Sequence, residues 1–149
     1  MKHLLASLLM LCAAGTAHAA PTVIKTTITT QQARVPLTLE LATTPAQRER
    51  GLMYRKTLAP HDGMLFAFPQ VAPQKFWMKD TLIPLDMLFI DPQHRIVHIL
   101  TAAAQSETPV GPDVAVNVVI ELDGGRAARE GIAVGDKVAY DIPADIEIR

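Results

Sequence analysis

Between Gly51 and Ile90 the chain gathers its only Trp (Trp77), all four Phe and every Met outside the first twenty residues. The runs GLMYR, GMLFAF and FWMKDTLIPLDMLFI follow one another there. Large apolar side chains at this density belong in a packed interior, and nucleophile–base arrangements are scarce among them. The segment therefore constrains a fold more tightly than it constrains a reaction.

The N-terminus constrains the compartment. Lys2 and His3 precede an apolar run from Leu4 to Ala14, and Ala17-His18-Ala19 stands before Ala20-Pro21. A basic start, an apolar stretch too short to span a bilayer and an A-x-A end describe a secretory signal peptide. Cleavage is expected after Ala19, which makes the mature protein periplasmic or secreted. Cys12 follows Leu11, whereas lipoprotein signals place a small residue before the lipidated Cys, so a lipid anchor is the weaker reading.

Removing residues 1–19 from the 149 leaves 130, and takes away Lys2 and the only Cys. The remaining 13 Lys and Arg against 15 Asp and Glu give a formal charge of −2. No thiol chemistry survives, and the charge balance points neither to nucleic acid nor to an anionic membrane surface. About 130 residues fit one domain, residues 20–149, with no second apolar segment long enough to span a membrane.

Thr22–Thr29 and Val35–Leu41 alternate polar and apolar residues, as half-buried strands do. Thr44-Pro45-Ala46-Gln47 reads as a capping box with Pro in the first helical position, opening a short helix that ends at Gly51. Met64–Phe68, Lys75–Met78, Leu85–Ile90, Arg95–Leu100 and Val116–Leu122 read as further strands. A second short helix is expected over Gly124–Glu130, with Asp123 as its cap, and a last strand over Val138–Ile142. Strands this closely spaced leave little room for crossover helices, so the expected fold is mainly β, largely antiparallel and sandwich-like or jelly-roll-like, with two short helices. Trp77 is expected in its core.

Gly51-Leu52-Met53 with Arg55, the Gly63 to Phe68 run, the Phe76 to Phe89 run, the Glu121 to Gly125 step and Gly135-Asp136 together resemble the DUF192 family, also catalogued as UPF0127. The resemblance spans roughly Thr22–Ile142. It implies a compact, mostly β domain with two short helices, often exported, and carries no established activity. Where this chain has Asp80, the family commonly has Asn.

The candidate site centres on Asp86, a charge on a strand apolar on both faces. It is expected either to tie down the turn before Pro84 or to act as the polar anchor of a pocket. Arg55, His61, Lys79, Asp80 and Glu121 are the other candidate ligand-binding residues. If the Glu121 face meets the Asp86 groove, the two carboxylates would equip a hydrolase or lyase acting on an envelope carbohydrate or peptide. A third reading uses Met53, Met64, Met78 and Met87 with His61 as thioether and imidazole ligands for copper, although methionines alternating with Leu, Ile and Phe usually fill a core. No cofactor motif and no metal-ligand spacing occurs. The preferred expectation is a noncatalytic binding or accessory domain for a small molecule, sugar or peptide of the cell envelope.

Overall fold

The computed structural model describes residues 20–149. The expected signal peptide and its cleavage site's N-terminal side lie outside the described residues. Seven strands and two helices follow in the order β1 (Val23–Thr29), β2 (Arg34–Ala42), α1 (Pro45–Arg50), β3 (Gly63–Pro73), β4 (Leu85–Ile90), β5 (Ile96–Ala102), β6 (Ala115–Asp123), α2 (Arg126–Arg129) and β7 (Lys137–Tyr140). The mainly β class with two short helices is as expected.

All seven strands join one mixed sheet in the order β5-β4-β6-β3-β2-β1-β7. Its pairings are antiparallel except β2 with β3, which run parallel because α1 and the loop after it return the chain to the starting end. The sheet curls until its edges touch but do not close: the Ile96 N–H donates to the Asp136 carbonyl at 3.0 Å, and the Gly135 N–H donates to the Ile96 carbonyl at 2.8 Å.

Each face of the sheet carries a core. On the inner face Leu37, Leu39, Leu65, Leu88, Ile90, Val118 and Ile120 pack with Ala127 of α2. On the outer face Met64, Phe66, Leu85, Met87, Phe89 and Val119 are covered by Leu52, Leu58 and Met78 from the loops. Every residue of β4 is buried, as its continuous apolar pattern demands.

The capping box forms as read. Thr44 Oγ1 accepts from the Gln47 N–H at 3.3 Å, and Gln47 Oε1 accepts from the Thr44 N–H at 3.0 Å. Two local expectations need correction. Lys75–Met78 is not a strand of the sheet: only Phe76 forms a bridge, to Val110, as the chain leaves β3 and crosses the outer face. Phe76 and Met78 then point inward and Trp77 outward, leaving Trp77 45% exposed rather than in the core. At α2, Asp123 makes no cap; it lies exposed, 3.6 Å from Arg129, and Gly125 takes the N-cap position at φ 79°.

Candidate functional site

Alternation along β6 sends Ile120 and Leu122 to the inner core, and Val119 and Glu121 to the outer face. Pairing places Glu121 between Met64 of β3 and Met87 of β4. Beyond Met64 the same row continues to Glu40 of β2. The outer face thus holds two buried glutamates about 10 Å apart, with a methionine between them.

Their surroundings differ. Glu40 is gripped by Arg55, whose Nη2 lies 2.7 Å from Oε2 while Nη1 meets Oε1, a two-pronged ion pair that holds the guanidinium above its usual pKa. Among the described residues no hydrogen bond or ion pair holds Glu121. Burial alone pushes its carboxyl up to about 8, so it is largely protonated at neutral pH. A side chain at Gly63 would collide with the Glu121 backbone carbonyl, so the bare glycine lets β3 and β6 close up beside this carboxyl.

Glu121 opens into a small cavity of about 30 Å³, whose walls include Gly51, Leu52, Phe66, Phe76, Trp77 and Thr81. Arg48, at its edge, is committed elsewhere: its Nη1 donates to the carbonyls of Thr43 and Ala67 at 2.7 and 2.9 Å. Glu49, Arg50, Met53 and Trp77 line both this cavity and a larger outer groove of about 360 Å³, completed by Ala46, Tyr54, Lys79 and Asp80. The two hollows therefore adjoin at these four residues, with Glu121 lining only the smaller and Tyr54 only the larger.

The outer groove is held in a strained conformation. Tyr54 and Asp80 both have left-handed backbone, φ 65° and 55°. They hold each other: the Tyr54 N–H donates to the Asp80 carbonyl at 2.8 Å, and the Tyr54 hydroxyl donates to Asp80 Oδ2 at 3.0 Å. That second contact raises the phenol pKa. Asp and Asn tolerate this backbone best, which explains an Asx residue at position 80, whereas a Tyr there is an outlier of the kind that gathers at ligand sites. Lys79 Nζ sits 5.3 Å from the Trp77 ring centre and steadies the indole.

Asp86 does not belong to this site. It faces the inner core, 1% exposed, and accepts from the Thr101 hydroxyl at 2.7 Å and the N–H groups of Gly125 and Ala127 at 3.0 and 2.8 Å. The carboxylate caps α2 from a strand about forty residues away in sequence, so its role is structural. Because Asp86 pairs with Leu122 and Met87 with Glu121, Asp86 and Glu121 lie on opposite faces of the sheet. The paired-carboxylate arrangement expected of a hydrolase is not formed.

Of the remaining expected site residues, Lys79 and Asp80 line the groove, Arg55 serves Glu40, and His61 lies in the loop before β3, half-buried and outside both hollows. Met64, Met78 and Met87 pack among Phe66 and Phe89 as core side chains. Sequence reading missed Tyr54, Glu49 and Arg50 as groove residues. The one available signal was Tyr54 itself, a large aromatic directly after a helix-ending glycine segment.

Fold and site together define a small mainly β domain with an aromatic-rimmed groove beside a buried glutamate that has no partner among the described residues. The DUF192 family model, described as "Uncharacterized ACR", matches residues 26–140, and the chain belongs to that family. No curated protein matches it. Among solved structures it is similar to one from Sinorhizobium meliloti described as a candidate transcription regulator, with 38% identity, a TM-score of 0.79, and 83% of this chain and 97% of that chain covered. It is also similar to a protein of unknown function from Novosphingobium aromaticivorans, with 36% identity, a TM-score of 0.76, and 81% and 93% covered.

Proposed function

We propose that this is an exported binding or accessory domain, whose ligand lies in the groove formed by Trp77, Tyr54, Met53, Lys79 and Asp80. One observation carries the reading: an exposed aromatic groove backs onto a cavity in which a buried glutamate has no partner among the described residues. Apolar walls with a few convergent polar groups are the usual make-up of a small-ligand site, and about 360 Å³ is within the range of such sites. Export rests on the Lys2 to Ala19 pattern, and N-terminal sequencing of exported protein should begin at Ala20.

The regulator description of the Sinorhizobium relative has little support in this chain. The helices among the described residues have six and four residues, and the formal charge of the chain is −1. A helix long enough to enter a DNA groove and a basic face to meet phosphates are the usual requirements.

The binding reading is tested by thermal shift with cellobiose, N,N′-diacetylchitobiose, tetra-alanine and phosphate as probes. A ligand that binds only the folded state raises the melting temperature with its concentration. At least one probe should do so for the wild type and not for Trp77→Ala. A shift of equal size in both proteins would place binding outside the groove and overturn the reading.

A further inference from the structure

We propose that the groove takes an uncharged carbohydrate, its ring against Trp77 and one short oxygen-bearing arm, a hydroxymethyl, inserted beside the Glu121 carboxyl. The inference rests on the groove reading above and adds the ligand's class and the group that recognises it.

Size sets the first limit. A cavity needs roughly 10–15 Å³ to hold one water, so about 30 Å³ admits an arm of two or three heavy atoms and no ring. The ring must stay in the outer groove, where 45% of Trp77 and 63% of Tyr54 are exposed. A sugar ring has an apolar C–H face to cover an indole and a hydroxyl edge to reach Glu49, Arg50, Lys79 and Asp80 at the rim.

Charge sets the second limit. An ammonium arm would enter past Arg48 and Arg50, and a carboxylate arm past Glu49 toward Glu121 itself. A carboxylate would be buried among Leu52, Phe66 and Phe76 with Arg48 already committed, and an ammonium could pair only by ionising Glu121, which buries two charges whose desolvation offsets their attraction. A neutral arm avoids that penalty, and a protonated carboxyl offers it one O–H donor and a carbonyl acceptor. Glu121 is also the one group at the cavity's inner end whose hydrogen-bonding capacity is not already used within the described chain.

The test is an NMR titration of amide and indole N–H signals with cellobiose, N,N′-diacetylchitobiose, xylobiose and tetra-alanine, on wild type, Trp77→Ala, Glu121→Gln and Glu121→Leu. Xylobiose lacks the hydroxymethyl arm, which cellobiose and the chitobiose both carry. The expected result is that cellobiose or the chitobiose moves the Trp77 indole, Gly51 and Thr81 signals, with xylobiose about tenfold weaker. Glu121→Leu should lose about tenfold in affinity while Glu121→Gln, which keeps a donor and an acceptor, stays close to wild type. Unchanged saccharide affinity in Glu121→Leu would overturn the role of Glu121 and leave the groove reading standing. Groove shifts with tetra-alanine alone would overturn the carbohydrate class. No groove shifts with any probe would count against the groove reading itself.

Discussion

Glu40 and Glu121 lie in one row across the outer face of the sheet, either side of Met64, and among the described residues only Glu40 has a cation. The same residue type is thereby used in two ways. An ionised carboxylate locked to Arg55 ties the loop after α1 to β2, and a neutral one stands free at the back of a groove.

Removing Arg55 should strand the Glu40 charge. Arg55→Met is expected to cost about 3 kcal/mol, because a buried carboxylate left unpaired is far worse than none. Adding Glu40→Leu should recover most of that loss. A double-mutant cycle by urea unfolding measures both numbers, and simple additivity of the two changes would contradict the pairing.

Glu121 makes stability depend on pH in a fixed direction. Its folded pKa of about 8 exceeds the ordinary value of 4.5, so the folded chain holds a proton that the unfolded chain releases. The full contribution is present below pH about 4.5 and is lost as pH rises through about 8, on the order of 5 kcal/mol across the window. Glu121→Gln should remove this slope and stabilise the protein at pH 8 far more than at pH 5. Parallel unfolding curves for the two proteins from pH 5 to 8 would refute the shift.

Trp77→Ala should cost only about 1 kcal/mol, since nearly half the side chain is exposed, while removing ligand binding. A loss of about 3–5 kcal/mol, as for a core aromatic, would show that the indole is a packing residue.

Asp86→Ala should behave in the opposite way, leaving the groove intact and loosening α2. Three donors lose their acceptor at once, two of them the N–H groups of the N-cap Gly125 and of Ala127, the second residue of a four-residue helix, and the expected loss is about 3 kcal/mol or more. Hydrogen exchange should speed up at Gly125 and Ala127. Protection there equal to wild type would contradict the capping role.

How much of this was legible in the sequence follows from the range of the interactions. Alternation fixed β1, β2 and β6, and a short apolar run fixed β4, to within a residue or two, and Thr44 to Gln47 announced α1, because those signals are local. The cap of α2 was misassigned to Asp123 since the real cap comes from Asp86, a contact that depends on β4 pairing with β6. Asp86 looked like a site for the same reason: a charge among apolar neighbours is conspicuous, and its three donors are invisible in sequence. Trp77 was taken for core because a lone bridge at Phe76 sets the alternation, not a strand. Glu121 is among the residues expected at the site, yet its isolation within the described chain, which makes it the better candidate, could be seen only once Arg55 was found on Glu40.

The central claim is that Glu121 stands neutral and unpartnered at the inner end of the groove, and the most direct test is its side-chain carboxyl carbon, followed by NMR through a pH titration. The account predicts a midpoint near 8, where burial places it. A midpoint near the ordinary 4.5 would mean that the carboxylate is solvated or paired, and would contradict the site as described.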